Sequence, residues 1–268
     1  MKWLLFALLI DRVQYIVAAR NYRSTYSGLG AVDSVLARKA LAPMAYRVLV
    51  PWLVWLGERV VPAETRKVVL YEPLKIALLW ACLWAASWVL GETAALVLGL
   101  LWLATLLFDY WDWAVETLAL ILALSGALPA ALVGAALLAL SRETAPLVAV
   151  TYGFATGDWR GAALVLALAL ALMALVRLWA GRKKLYCERW MWRRNWRELK
   201  AAMRVQPVYL NNMAMTVLVT VLTLWAVAQG LPAWPVPLAL LAAGWSMAVA
   251  AETRVFAGCL IWVARGLS

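Results

Sequence analysis

The stretch FDYWDWAVETLALILALSGALPAALVGAALLALSRETAP, residues 108–146, decides the fold, because its long apolar runs read as helices with ionisable residues placed between them. These ionisable residues are Asp109, Asp112 and Glu116 near one end and Arg142 and Glu143 near the other. Charged side chains are costly in apolar surroundings and usually serve a function there. The stretch is therefore the first place to look for a site.

The rest of the chain is equally apolar. Of its 268 residues, 66% are hydrophobic and 15% are charged, whereas a soluble domain has about half apolar and a quarter charged residues. Lipid is therefore the expected solvent for most side chains. At about 20 residues per span, the sequence predicts one integral membrane domain, residues 1–268, folded as an all-α polytopic transmembrane bundle. We expect roughly seven to nine membrane segments, some of them short or broken.

The net charge of +11 comes mainly from loops next to apolar segments. Residues 181–207 contain nine Lys and Arg residues against Glu188 and Glu198. By the positive-inside rule this loop is predicted to be cytoplasmic. Its tryptophans favour a basic helix on the membrane surface, and a docking site for an acidic partner is the alternative. Anionic headgroups explain the charge better than nucleic acid, which we do not expect as a partner.

Composition also limits cofactor chemistry. The chain has no His, so we expect no haem and no His-ligated metal. The three cysteines are scattered without the spacing of a metal or redox motif. The 18 Trp residues favour interface belts and packing faces through which membrane-protein partners could bind.

Several apolar segments are too short to cross a bilayer alone. Residues 43–62 contain Pro51 and predict a kinked span, a re-entrant segment or an interfacial helix. The runs 114–124 and 128–140 flank the turn signal SGALP. Either these helices extend into their charged flanks, or they are broken and face a cavity, where irregular backbone is tolerated.

The carboxylates Asp109, Asp112 and Glu116 share one helical face by their spacing. One interpretation is a polar cavity in which they bind a divalent cation or supply a general base. The alternative is a solvated helix N-terminus, where acidic residues favour the positive end of the dipole. Glu116 lies deeper in the apolar run, so the second interpretation suits it less well.

The arginines also allow two interpretations. Arg142 with Glu143 and Arg254 with Glu252 lie at the ends of apolar segments. Opposite charges on different helices could pair across the bundle, or the arginines could hold a phosphate or pyrophosphate. For Arg47, which precedes the segment containing Pro51, snorkelling to the interface is the simplest explanation.

Four short motifs carry a family resemblance: DRVQYIVAARNY from Asp11, AYRVLVPWLVWL from Ala45, SRETAP from Ser141 and AETRVF from Ala251. In this order they resemble bacterial members of the GT-C superfamily, multi-spanning glycosyltransferases that use polyprenyl-phosphate sugars. The resemblance implies a bacterial-type inner membrane and a lipid-linked substrate. It also implies that Asp11 is the base or metal contact, which that family places near the end of its first span.

The leading hypothesis is thus a GT-C-like membrane glycosyltransferase. Its catalytic residues would be Asp11, Glu116 and Glu143, its phosphate-binding residues Arg47, Arg142 and Arg254, and its weaker metal candidates Asp109 and Asp112. A carboxylate would deprotonate the acceptor and cations would steady the departing phosphate. The alternatives are a non-catalytic subunit or scaffold of a larger membrane complex, with its charges paired internally, and a transporter with a midplane site.

Overall fold

The computed structural model confirms the all-α class: 84% of it is helix and the described residues contain no strand. The structure describes residues 1–21, 33–40, 46–61, 70–105, 112–181, 193, 195–197, 200, 207–247 and 253–268. The basic segment 181–207 therefore lies largely outside the described residues.

The helices follow the apolar runs of the sequence. They are α1 (Lys2–Asn21), α2 (Leu49–Gly57), α3 (Glu72–Val89), α4 (Glu92–Thr105), α5 (Asp112–Leu124), α6 (Leu128–Ala139), α7 (Pro146–Thr156), α8 (Trp159–Ala180), α9 (Pro207–Ala228), α10 (Pro235–Met247) and α11 (Leu260–Leu267). A 3-10 segment, Thr253–Cys259, leads directly into α11.

Helix α5 lies at the centre of the bundle. Eleven of its thirteen residues are buried, and they include Asp112 and Glu116 as well as the apolar residues. It packs against α3, α6, α7 and the 3-10 segment. Any polar side chain on α5 is therefore enclosed by protein on several sides.

Helices α5 and α6 are short and joined by the tight turn that the Ser-Gly-Pro signal predicted. Gly126 lies in this turn with φ +74°, a left-handed conformation that glycine adopts without steric cost. The two helices pack against each other. At a rise of about 1.5 Å per residue, neither reaches the bilayer's apolar thickness of about 30 Å.

Within the described residues, α8 alone is both long and apolar enough to cross a membrane. Asp158 caps its N-terminus by accepting a hydrogen bond from the Gly161 backbone N–H at 2.9 Å. Much of the α8 surface is exposed leucine. Other apolar helices of 10–17 residues lie within α4, α6, α7, α9 and α10 and across the Phe256–Leu267 region.

The segment around Pro51 forms one short helix. Pro51 occupies the first turn of α2, where proline is tolerated because its missing N–H would have no helical partner. The backbone N–H of Leu49 donates to the carbonyl oxygen of Leu140 at 2.9 Å. This bond joins the start of α2 to the end of α6 and brings Arg47 near the SRETAP motif.

Candidate functional site

The candidate site begins with two carboxylates on the central helix. Asp112 and Glu116 lie one turn apart on α5, with 4% and 0% of their surface exposed. Positions i and i+4 share one helical face, so both carboxylates point to the same side. Asp109 falls outside the described residues.

Two arginines from other parts of the chain meet these carboxylates. Arg47 Nη1 lies 2.6 Å from Asp112 Oδ2, and Arg142 Nη1 lies 2.5 Å from Glu116 Oε2. Arg142 Nε is also 3.9 Å from the same Asp112 oxygen. Asp112 therefore links the two arginines, and we call these four residues the α5 charge cluster.

Glu116 is held from two further sides. The Thr144 hydroxyl donates to its Oε2 at 3.1 Å. On the other side Gly258 of the 3-10 segment packs so closely that a Cβ there would lie 2.6 Å from Glu116 Oε1. The absence of a side chain at Gly258 thus lets the 3-10 segment pack against this carboxylate.

The α5 charge cluster is electrically balanced and enclosed. Two guanidinium groups face two carboxylates, and the arginine side chains are only 12% and 10% exposed. A buried ion pair costs desolvation energy that good geometry offsets, whereas removing one partner leaves a charge in apolar surroundings. This arrangement can hold α5, α2 and the α6–α7 connection together.

A second buried cluster surrounds Asp11, whose side chain is fully buried in the middle of α1. Lys75, in the first turns of α3, places Nζ 2.7 Å from Asp11 Oδ1 and 3.2 Å from Glu72 Oε2. Arg12 lies 2.5 Å from Asp11 Oδ2 and 3.7 Å from Glu72. These contacts join α1 to α3.

Glu143 has different surroundings from the neighbouring Arg142. It lines a shallow surface notch together with Tyr46, Arg142 and Arg177. Its Oε1 atom is buried and has no hydrogen-bond partner in the described part of the chain. Arg177 is exposed and stacks over the Tyr46 ring at 5.8 Å. The notch thus combines one carboxylate with two guanidinium groups.

The structure brings together four of the predicted site residues, Arg47, Asp112, Glu116 and Arg142, and places Glu143 beside them in sequence. Asp11 belongs to its own cluster. Arg47 contacts Asp112 instead of snorkelling towards an interface. Arg254 lies in the 3-10 segment, but its side chain is outside the described residues.

Asp112, the metal candidate that the structure describes, has cationic neighbours. Asp112 is bonded to Arg47, so a divalent cation at that oxygen would have to displace a guanidinium group. No group of three or more His, Cys, Asp or Glu residues suited to a metal ion occurs in the part of the chain that the structure describes.

Sequence reasoning missed several contributors to these clusters: Lys75, Glu72, Thr144, Arg177 and Gly258. The sequence did carry a signal for Lys75, because a lysine near the start of a strongly apolar helix needs a counter-charge close by. Gly258 carried none, because a glycine needed for close packing looks like any other glycine in the sequence.

Comparison of the chain with models of known protein families, with curated proteins and with solved structures gives no match.

Proposed function

We propose that this chain is a polytopic integral membrane protein of a bacterial-type inner membrane and serves as a non-catalytic subunit or scaffold of a larger membrane complex. The observation that carries this proposal is the internal pairing of its buried charges. The Arg47–Asp112 and Arg142–Glu116 pairs have N···O distances of 2.6 and 2.5 Å.

The exposed surface of α8 supports the membrane placement, as does the length of this helix. The exposed residues of α8 include Leu164, Leu170, Leu175 and Leu178. Only 28% of its most apolar window is buried within the protein, so most of this helix needs an apolar environment from elsewhere. Acyl chains supply that environment for a helix of about 20 apolar residues. The shorter helices would complete a bundle of seven to nine segments.

The charge clusters support a structural role because their members are already neutralised. A general base needs access to the proton it removes, whereas Asp11 and Glu116 are fully buried and paired with cations. A phosphate-binding arginine likewise needs donors facing the ligand. Arg47 and Arg142 direct donors at Asp112 and Glu116.

Partner binding would use an aromatic face on α3. Trp80, Trp84 and Trp88 are 42%, 51% and 75% exposed and repeat every four residues along one side of the helix. This stripe extends about 12 Å along the helix axis. Tryptophans of an interfacial belt would lie at a single depth in the bilayer, whereas these three are spread along the axis of α3. The stripe is therefore better suited to contact with a neighbouring helix.

The second candidate is the GT-C-like glycosyltransferase, and one observation favours it. Three separated segments, residues 46–51, 112–116 and 141–144, converge on the α5 charge cluster. In this function Glu116 and Glu143 would line the substrate cavity, with Asp11 as base. Arg47, Arg142 and Arg254 would hold the phosphate of a polyprenyl-phosphate sugar.

The transporter hypothesis rests on the short helices α5 and α6 and the 3-10 segment near Glu116.

Purification in mild detergent, followed by mass spectrometry of bound proteins and lipids, separates these functions. A subunit is expected to retain one or more proteins at stoichiometric amounts. A glycosyltransferase is expected instead to retain a polyprenyl-phosphate lipid that Asp11→Asn or Arg142→Ala removes from a folded protein. The matched control is Lys2→Gln, which changes an exposed ion pair and should leave the bound molecules unchanged.

A further inference from the structure

One asparagine attaches the basic segment 181–207 to the helical bundle. Within the part of this segment that the structure describes, residues 193, 195–197 and 200 are helical. Asn195 is fully buried, and its Nδ2 donates to the backbone carbonyl oxygen of Trp245 at 2.9 Å. Trp245 belongs to α10, which ends at Met247. The basic segment therefore rests against the C-terminal part of α10.

Trp245 is itself held by two other parts of the bundle. Its indole Nε1 donates to Thr220 Oγ1 of α9 at 3.1 Å, and its ring centroid lies 6.1 Å from that of Phe256 in the 3-10 segment. The Phe256 ring packs so closely against Gly244 of α10 that a Cβ there would collide with it. Asn195 is thus bonded to a closely packed part of the protein.

The described cations of this segment lie on the side opposite Asn195. Arg193, Arg197 and Lys200 are exposed, and their spacings of four and three residues place them on one helical face. At 3.6 residues per turn, each of them lies about 140–160° around the helix from Asn195. The bond that holds the segment to α10 therefore directs these three cations away from the bundle.

An aromatic ring accompanies the cations. Trp196 is 52% exposed, and Lys200 Nζ lies 5.3 Å from the centroid of its ring. In the sequence, residues 192–200 contain four cations against the single carboxylate of Glu198. Tryptophan favours the boundary between headgroups and acyl chains, and anionic headgroups attract cations that lie next to a span. The segment thus combines the two kinds of side chain that favour an anionic membrane surface.

The position of the segment along the chain indicates the side of the membrane. Helix α8 ends at Ala180 and α9 begins at Pro207, so the basic segment connects these helices at the end where α8 stops. With α8 spanning the bilayer as proposed above, the residues that follow it emerge at headgroup level. The nine Lys and Arg residues of 181–207 mark this side as cytoplasmic.

We propose that Arg193, Arg197 and Lys200 form a binding surface for the anionic phospholipid headgroups of the cytoplasmic leaflet, held in place by the bond from Asn195 to α10. The ring of Trp196 lies at the boundary between headgroups and acyl chains. The attraction depends on charge, so lysine can replace arginine at both arginine positions. This inference rests on the membrane placement proposed above and on neither the subunit nor the enzyme hypothesis.

The test follows thermal unfolding of the purified full-length chain in neutral detergent while phosphatidylglycerol is added, with phosphatidylcholine as the zwitterionic probe. Phosphatidylglycerol should stabilise the folded protein by binding to it. Arg193→Gln/Arg197→Gln should weaken its apparent affinity about 25-fold, and Lys200→Gln about fivefold. Arg193→Lys/Arg197→Lys keeps both charges and should stay within about twofold of the wild type. The Gln double variant keeps seven of the nine cations of residues 181–207, so its orientation should not change.

The matched control Lys2→Gln/Arg160→Gln also removes two exposed positive charges. Lys2 is paired with Glu92, and Arg160 lies near the carboxylate of Asp158, so both charges are already partly neutralised. The control should therefore bind phosphatidylglycerol within about twofold of the wild type. It shows whether the effect belongs to the basic segment or to net charge alone.

Three results would overturn the binding surface. These are equal weakening in the control, no preference of the wild type for phosphatidylglycerol over phosphatidylcholine, and a preference undiminished in about 0.5 M salt, which screens exposed charges. A stoichiometric protein lost only from Arg193→Gln/Arg197→Gln, without lipid preference, would identify an acidic protein as the occupant instead. Extraction of native membranes with alkaline carbonate tests the placement separately. Release of the chain refutes the membrane placement itself, whereas retention without lipid preference refutes the headgroup surface alone.

Discussion

Replacing Arg142 by Met tests whether the α5 charge cluster is a structural contact. The Arg142 side chain is 10% exposed, and its Nη1 lies 2.5 Å from the fully buried Glu116. Methionine keeps much of the volume but removes the guanidinium group that contacts Glu116. Removing one partner of a buried ion pair costs about 3–5 kcal/mol, so we expect a loss of that size in the free energy of unfolding.

An exposed ion pair with the same contact distance serves as a control. Lys2 and Glu92 also lie 2.5 Å apart, but their side chains are 60% and 70% exposed. Exposed pairs contribute about 0–1 kcal/mol, so Lys2→Met should change the unfolding free energy by no more than that. The comparison separates the effect of burial from that of geometry.

The assay is equilibrium unfolding in mixed micelles, followed by tryptophan fluorescence, for wild type, both single variants and the double variant Glu116→Gln/Arg142→Met. The double variant contains no unpaired charge at Glu116 and should regain most of the lost stability, because a neutral replacement of a buried pair is often tolerated. Equal costs for Arg142→Met and Lys2→Met, or a double variant no more stable than Arg142→Met, would refute the reasoning.

Three further predictions concern other parts of the molecule. Gly258→Ala should lower the unfolding free energy by about 1–3 kcal/mol, because its Cβ would lie 2.6 Å from Glu116 Oε1; unchanged stability in the same assay would show that the 3-10 segment can shift. The Gly161 N–H, and then the Tyr152 hydroxyl, hold the pKa of Asp158 below its ordinary value. The stability from Asp158 is therefore full above about pH 4 and lost as pH falls through its lowered pKa. Asp158→Asn should flatten this loss in thermal unfolding between about pH 4 and 2, and an unchanged pH profile would count against the cap. A reporter fused after Lys184 should report the cytoplasm, and an external signal would reverse the proposed orientation.

The helical class could be predicted from the sequence because it depends on local composition. The apolar runs 114–124 and 128–140 predicted α5 and α6 to within two residues, and the Ser125–Pro129 signal found the turn between them. For residues 43–62 the sequence left three alternatives open: a kinked span, a re-entrant segment or an interfacial helix. In the structure α2 begins at Leu49 and places Pro51 in its first turn, so the proline does not interrupt this helix.

The partners of the charged residues could not be predicted. Arg142 was considered with its neighbour Glu143, but the structure pairs it with Glu116 on α5 at 2.5 Å. Asp11 and Lys75 are 64 positions apart in the chain, and their contact depends on how α1 packs against α3. Pairing of this kind depends on tertiary packing, and no local pattern in a single sequence indicates it.

The most direct test of the subunit hypothesis is purification of the double variant Glu116→Gln/Arg142→Met in mild detergent, with mass spectrometry of everything that remains bound. If the α5 charge cluster is structural, the folded double variant should retain the same stoichiometric protein partners as the wild type. A double variant that is folded but has lost a polyprenyl-phosphate lipid present in the wild type, with no protein partner in either, would contradict the subunit hypothesis and support a glycosyltransferase.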